Sequence, residues 1–387
     1  MDAESPDNTS RSIPRVKLWA LEAHTSAKHE ILRRYLSRWI PIIAHGFPCL
    51  AYVDCFAGPG EYKGGEPGSP IIALDIARRY VQTGIIKPRR LEMVFIEADK
   101  RRFEHLVERC NAFRALHGET DAIVIDLIHG HFSKEIATLH HRLNKRGSLS
   151  NSIFYFIDPF GVKGLPYDLL RLIQTVNRSE ILLTFMYEET NRFLSSVEFE
   201  EHLDSLFGEV HWRALREISG QQRKRETVDY FKGRLLNAGA KYVVAFEMRN
   251  ARNATDYFLL FGTKSIRGQE VMKEAMWEVD RSGSYMFSDY TYSKGPMLID
   301  PTPDYAALPM QIAAHFVDRR QVSVAEIREF VLTQTSFLRF MNEALRPLIA
   351  RGLCYVDAED GASARLDRDA TVSFVRRAGM PLKLFDG

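Results

Sequence analysis

Val53-Asp54-Cys55-Phe56-Ala57-Gly58-Pro59-Gly60 is the stretch on which the reading of this chain turns. A short apolar run, residues 50–56, carries an aspartate near its end and then two glycines, where backbone must approach a ligand closely before a helix begins. The helix is delayed by the segment Glu61-Tyr62-Lys63-Gly64-Gly65-Glu66-Pro67-Gly68. Ser69 is expected to cap it, with Pro70 in its first turn. The plainer alternative is a glycine-rich strand-to-helix turn with no ligand.

Outward from this turn, short apolar runs alternate with helical periodicity. Strands are expected at 50–56, 93–97, 122–125, 153–158 and 181–186, with helices between them at about 70–83, 100–116, 133–144 and 166–177. Near-continuous apolar strands separated by helices imply a parallel sheet covered on both faces. A helical insertion at about 191–237 precedes two more strands, 242–248 and 257–263, joined by the polar turn Arg249-Asn250-Ala251-Arg252-Asn253-Ala254 and read as an antiparallel hairpin. This α/β pattern resembles the class I methyltransferase sheet, a Rossmann-like parallel sheet closed by a C-terminal antiparallel hairpin.

Before the first strand, Ile31, Leu32, Tyr35, Leu36, Trp39, Ile40 and Ile43 follow helical spacing, and Lys28, Arg33, Arg34 and Arg38 are assigned to the opposite face as a candidate nucleic-acid surface. Prolines and glycine cluster at 294–303, which divides the chain into a disordered N-terminus (1–15), a methyltransferase-like domain (16–300) and a C-terminal domain (301–387). In the last of these, helices at 309–317 and 324–332 (capped by Ser323), a third capped by Ser336 and ended by Gly352, and a closing hairpin give a winged-helix-like order. Pro347 should kink that third helix or end it early.

Composition narrows the class. The chain has 387 residues, 45% of them hydrophobic and 26% charged, as in ordinary globular proteins. It holds no apolar run of membrane-spanning length and opens on a polar segment. Its four cysteines, Cys49, Cys55, Cys110 and Cys354, include no C-x-x-C pair, which argues against a disulfide framework or zinc site and fits a cytoplasmic protein. The net charge of +2 does not mark a nucleic-acid binder, although residues 9–40 carry seven Lys/Arg against two Glu. Residues 301–387 hold eleven of each sign, so that domain is a weak duplex binder. Phosphate-loop, nucleophile-elbow and H-E-x-x-H signatures are missing.

Three further segments carry candidate chemistry. Glu97 ends the second strand, where a carboxylate can accept hydrogen bonds from both ribose hydroxyls of a nucleoside cofactor. Ile157-Asp158-Pro159-Phe160-Gly161 ends the fourth strand. It resembles the motif of methyltransferases acting on exocyclic amines, in which the carboxylate accepts the amine hydrogens and an aromatic ring stacks on the base. Here the aromatic comes one position early and Gly161 stands in its usual place. Asp126-Leu127-Ile128-His129-Gly130-His131-Phe132 follows the third strand, with His131 where an acidic residue often binds the adenine amine. His129, His131, His140 and His141 lack a third ligand at suitable spacing, so no metal is expected. Tyr187-Glu188-Glu189-Thr190-Asn191-Arg192 falls at the edge where such folds build a substrate cleft.

With these residues in hand, the chain resembles the three-Cys-motif partner proteins. The matching segments are His24-Thr25, Lys28-His29, Tyr35-Leu36 and Trp39, the stretch from Val53 to Pro70, Phe95-Ile96-Glu97, residues 154–161, residues 185–194, residues 255–264 and residues 274–289. The resemblance implies a methyltransferase-like core working with a separate radical-enzyme-like protein that bears a three-cysteine motif. Asp54, Phe56, Ala57, Gly58, Gly60, Glu97, His131 and Phe132 are the candidates for S-adenosylmethionine, and Asp158, Pro159 and Phe160 for catalysis. Nucleic acid is the expected substrate class. The alternative is a non-catalytic methyltransferase fold that binds nucleic acid or scaffolds a partner.

Overall fold

The computed structural model describes residues 18–47, 49–84, 90–118, 120–145, 152–292, 303–357, 366 and 370–375. The proposed N-terminal boundary at 15, the Pro/Gly boundary at 294–303 up to Thr302, and the turn around Gly361 lie outside them.

The chain runs α1 (Ala23–Gly46), β1 (Cys49–Asp54), α2 (Ser69–Thr83), β2 (Arg90–Glu97), α3 (Lys100–His117), β3 (Ile123–His129), α4 (Phe132–Lys145), β4 (Ser152–Ile157), α5 (Tyr167–Ile173) and β5 (Ser179–Phe185). The insertion holds α6 (Tyr187–Phe193), α7 (Glu200–Phe207) and α8 (Gly220–Ala238). Then come β6 (Tyr242–Arg249), β7 (Thr255–Thr263), α9 (Ile266–Trp277), β8 (Met286–Ser288) and α10 (Asp289–Tyr292). Among the described residues these strands make one sheet in the order β3-β2-β1-β4-β5-β7-β6-β8. β1 to β5 are parallel, and β7 runs antiparallel to both β5 and β6. This is the sheet expected from the sequence, with the short β8 as an unexpected edge strand. Strand order reverses at β1, whose neighbours β2 and β4 lie on opposite sides. Their crossovers leave in opposite directions and open a crevice at the C-terminal ends.

Two apolar clusters cover the sheet. One joins α1, α2 and α9 to it through residues such as Leu32, Tyr35, Ile72, Phe154 and Met272; the other joins α4, α5 and the insertion through Ile136, Leu170, Phe185, Trp212 and Phe231. Three expected local features change. Gly68, not Ser69, is the N-cap of α2, because Ser69 turns its hydroxyl onto Asp54. β3 extends to His129, so Asp126 lies inside it. α5 ends at Ile173, and Gln174 and Thr175 close it by bonding back to Leu170 and Leu172.

The C-terminal unit comprises α11 (Leu308–Phe316), β9 (Val322–Ser323), α12 (Val324–Gln334), α13 (Met341–Ala350), β10 (Cys354–Asp357) and β11 (Thr371–Phe374), the three strands pairing β10-β11-β9. The elements follow one another as helix–strand–helix–helix–hairpin, with the short β9 added to the expected order. Ser323 and Glu326 form a reciprocal capping box on α12. Ser336 does not cap α13. Its hydroxyl donates to the Gly283 carbonyl, and a short 3-10 turn at Leu338–Phe340 starts the helix instead. Pro347 does not end α13 either, because the helix continues to Ala350.

The core and this unit meet at Lys273 of α9. Its buried ammonium donates to the carbonyls of Leu332 and Thr335, capping the negative end of α12, while Arg328 pairs with Glu270 and Arg339 with Glu278. Burial pushes Lys273 down from 10.5 to about 7. Between those values the unfolded chain holds more protons than the folded one, so this group's contribution to stability is full above 10.5 and is lost as pH falls through 7. Urea denaturation of the wild type and Lys273→Met should therefore diverge: the wild type gains stability relative to the variant as pH rises from about 7 to about 10. A constant difference would refute the assignment.

Candidate functional site

The turn after β1 is built by its own hydrogen bonds. Cys55 N–H donates to Phe156 O (2.9 Å) and Ala57 N–H to Ile96 O (2.9 Å), which pins the turn between β4 and β2. Gly58 N–H donates to Glu97 Oε2 (2.9 Å), so the carboxylate at the end of β2 also holds the glycine loop. Gly60 has φ +83°, and its carbonyl receives Gly68 N–H at 2.8 Å; a Cβ on Gly68 would lie 2.9 Å from the Gly60 carbonyl carbon. The delayed helix start is thus a folded-back loop lying backbone to backbone on the turn.

Asp54 lies beneath this turn and does not line the cleft. It is fully buried and accepts from Phe56 N–H (3.3 Å), Tyr52 Oη (3.4 Å) and Ser69. Burial raises its carboxyl to about 7, against the lowering effect of those donors. It shapes the turn; direct contact with a ligand is left to Phe56, Ala57, Gly58 and Gly60, which line a cleft of about 400 Å³.

A second cleft of about 180 Å³ adjoins, lined by Phe56, Glu97, Arg102, His131, Phe132, Phe160 and Lys163 among others. Phe56 and Phe160 line both. Glu97 is buried and its Oε1 accepts from Asp99 N–H (2.7 Å), with Arg102 Nε at 3.5 Å. Phe132 is buried against Phe56, while the exposed His131 gives its carbonyl to the first turn of α4. His129 points to Ala98 O and stacks on Phe103 (5.0 Å), away from any metal-binding group. Groups of His, Cys, Asp and Glu able to hold a metal are absent among the described residues.

At the end of β4, Asp158 is hydrogen-bonded through both oxygens. Oδ2 accepts from Lys28 Nζ (2.6 Å) and Oδ1 from Thr184 Oγ1 (2.6 Å). Burial alone would raise this carboxyl, but the Lys28 charge and both hydrogen bonds hold it below the usual carboxylate range. Pro159 is buried, whereas Phe160 is 72% exposed and faces Trp19, itself 40% exposed, at 6.0 Å between rings. The Arg102 guanidinium lies 5.6 Å from the Trp19 ring and 5.4 Å from Phe160. Gly161 has φ +116°, a conformation strained for any residue with a Cβ, and a Cβ there would also have to displace the Glu189 carboxylate 2.5 Å away, so an aromatic is disfavoured at that position.

Lys28 corrects the helix reading. It is buried in the cleft wall, not displayed on the outer face, because it stands three and four residues before Ile31 and Leu32 on the same stripe. Arg33 and Arg34 both approach Glu30, and Arg38 pairs with Glu274 of α9. They lie progressively farther from the cleft, since each residue of the helix advances about 1.5 Å. The sequence reading gave no role to His29, Tyr62, Trp19, Arg102 or Thr184. His29 was within reach: it is adjacent to Lys28 on the buried side, and burial, aided by Lys28, pushes it down to about 3. Its Nε2 faces Tyr62 Oη at 3.5 Å. The described residues of the C-terminal unit contribute nothing to the lining of either cleft.

No family model and no curated protein matches the chain. Among solved structures it is similar to an O-methyltransferase from Bacillus cereus in complex with S-adenosylhomocysteine (14% identity, TM-score 0.32, covering 63% of this chain and 84% of that one). It is similar also to the O-methyltransferase TomG from Streptomyces achromogenes in complex with S-adenosylmethionine (11% identity, TM-score 0.31, 65% and 93%). A third is the METTL16 methyltransferase domain (12% identity, TM-score 0.30, 59% and 65%).

The Asp54 carboxyl gives a direct test of the turn. Because its folded value of about 7 exceeds the ordinary 3.8, its contribution is full below 3.8 and is lost as pH rises through 7. Relative to Asp54→Asn, the wild type should lose stability between about pH 4 and pH 7 and then hold level. Thermal midpoints that fail to diverge over that window would show that Asp54 is not buried as described.

Proposed function

We propose that the protein is an S-adenosylmethionine-dependent methyltransferase. The observation that carries this reading is the meeting of Glu97 with the glycine turn at the strand-order reversal of the sheet. A buried carboxylate at the end of β2 faces the cleft of about 180 Å³, and the turn beside it presents backbone at close range. Glu97 suits the two ribose hydroxyls, Phe132 and Phe56 suit the adenine, and Ala57, Gly58 and Gly60 suit the methionine part in the larger cleft. The cofactor supplies, when bound, an electrophilic methyl group on a sulfonium. The ends of β4 and β5, with Lys28 and Phe160, form the acceptor side.

Nucleic acid is the substrate class we assign, and the cleft mouth supports it better than α1 does. Trp19 and Phe160, both exposed and tilted 34° to each other, offer aromatic faces for stacking. Lys63, whose backbone N–H donates to Trp19 O (2.8 Å), and Lys163, in the smaller cleft, flank it without a salt bridge among the described residues. Arg33, Arg34 and Arg38 already have carboxylates. The three-cysteine-motif partner protein remains part of the proposal on the strength of the sequence resemblance. The second reading, a non-catalytic scaffold, draws its support from Asp158, whose charge is already paired with Lys28 and which is therefore a weaker acceptor for an exocyclic amine.

Calorimetric titration with S-adenosylhomocysteine tests the cofactor assignment. The wild type should bind, and Glu97→Gln, which is similar in size but turns an NH2 toward either Gly58 or Asp99 N–H, should bind about ten- to a hundredfold more weakly, as expected for losing charge-assisted hydrogen bonds. Absence of binding by folded wild type sinks the reading. For nucleic acid, filter binding across salt concentrations should show the Lys63→Ala/Lys163→Ala double variant flattening the log–log slope by about 1.5, with Arg33→Ala/Arg34→Ala leaving it unchanged. The reverse pattern would return the surface to α1.

A further inference from the structure

The Lys28–Asp158 pair bears on which atom is methylated. Lys28 is a buried ammonium in the wall of the larger cleft. One of its three N–H groups goes to Asp158 Oδ2, and its other charge contact is the face of Tyr257 at 5.3 Å. A π face is a weak partner for a desolvated ammonium, and the pair leaves donors for a ligand in the cleft. No proton acceptor suited to neutral pH stands beside them. Asp158 is held ionised by Lys28 and Thr184, His29 is pushed to about 3, and burial pushes the Tyr62 hydroxyl up. Glu22, at the rim, faces His24 Nε2 at 3.1 Å, Glu61 is committed to His105 and Arg109, and Asp54 lies under the floor. The acceptor must therefore arrive already nucleophilic.

We infer that the acceptor is an ionised oxygen on a planar ring, a phenolate-type group, bound by Lys28 and stacked at the Trp19–Phe160 mouth. This rests on the methyltransferase reading alone and departs from the nucleic-acid assignment, since the nucleobases carry no phenol group. Charge balance agrees. With the sulfonium present, Lys28 and Asp158 cancel and one positive charge is left, which the oxyanion neutralises. An oxygen lone pair forms the new O–C bond as the C–S bond breaks, the electron pair stays on sulfur as a neutral thioether, and no proton has to move. A neutral amine acceptor would end as a protonated ammonium beside Lys28, with no base to take its proton. Asp158 is a positioning residue in this scheme, since it orients the ammonium and does not touch the acceptor.

Para-nitrophenol and para-nitroaniline are suitable probes, close in shape and different in charge, and the phenol reports its ionisation by colour. Each is titrated into the protein with and without S-adenosylhomocysteine. The wild type should lower the apparent pKa of bound nitrophenol and prefer it over nitroaniline by about tenfold or more, the range of a charge-assisted hydrogen bond. Lys28→Arg should keep the preference. Lys28→Met should lose it, and so should Lys28→Met combined with Asp158→Asn, which strands no buried charge and so guards against a folding failure. The S-adenosylhomocysteine affinity of these variants should stay within a few fold. Equal binding of the two probes, or a preference for nitroaniline, overturns the inference while leaving the methyltransferase reading intact. Loss of S-adenosylhomocysteine binding in Lys28→Met would also overturn it, since Lys28 would then hold the cofactor. A wild type that prefers nitrophenol yet never binds S-adenosylhomocysteine supports the oxyanion site and removes the methyltransferase.

Discussion

A buried ammonium needs acceptors or an opposite charge, and the Lys28–Asp158 pair fixes where the first helix sits. Desolvating either charge alone is costly, and removing one partner of such a pair typically costs about 3–5 kcal/mol. With Lys28 tied to the end of β4, the N-terminal turns of α1 lie over the C-terminal edge of the sheet, and its remaining length runs down across α2 and α9. His24, one turn earlier, has its Nδ1 within hydrogen-bond distance of Asp289 at 2.6 Å. The helix that precedes the sheet in sequence thereby becomes one wall of the cleft.

The opposite wall depends on Glu97, which serves the glycine loop and the α3 entry at once. Arg102 then lies across Glu97 and reaches toward Trp19 and Phe160, so the same cation closes the seam between the two clefts. Asp54, Ser69 and the Gly60–Gly68 contact sit one layer below and hold the turn in shape. The site is layered, with ligand-facing groups resting on a shell of buried polar contacts. That arrangement keeps the geometry of such sites precise.

Much of this was readable in the sequence because it is local. The alternation of apolar strands and amphipathic helices, the reversed hairpin at the end, the strand-end positions of Glu97 and Asp158, and the Ser323 capping box each depend on residues close together in the chain. Misreadings came where a side chain had two local options and a distant group chose between them. Ser69 could cap its helix or bond Asp54. Ser336 could cap α13 or bond Gly283. Lys28 could face water or join the stripe of Ile31, Leu32 and Tyr35, and a stricter helical register would have placed it there.

By itself, then, the sequence determined the sheet class, the glycine turn with its acidic neighbours, and the absence of membrane-length apolar runs, since periodicity and turn chemistry act over a few residues. Only the tertiary structure decided what those acids do. Asp54 is buried under the turn, Glu97 is bound to Gly58, and Asp158 is engaged by a lysine 130 positions away. The physical reason is desolvation. A carboxylate's role is set by the donors and cations that surround it after folding, and those come from distant parts of the chain.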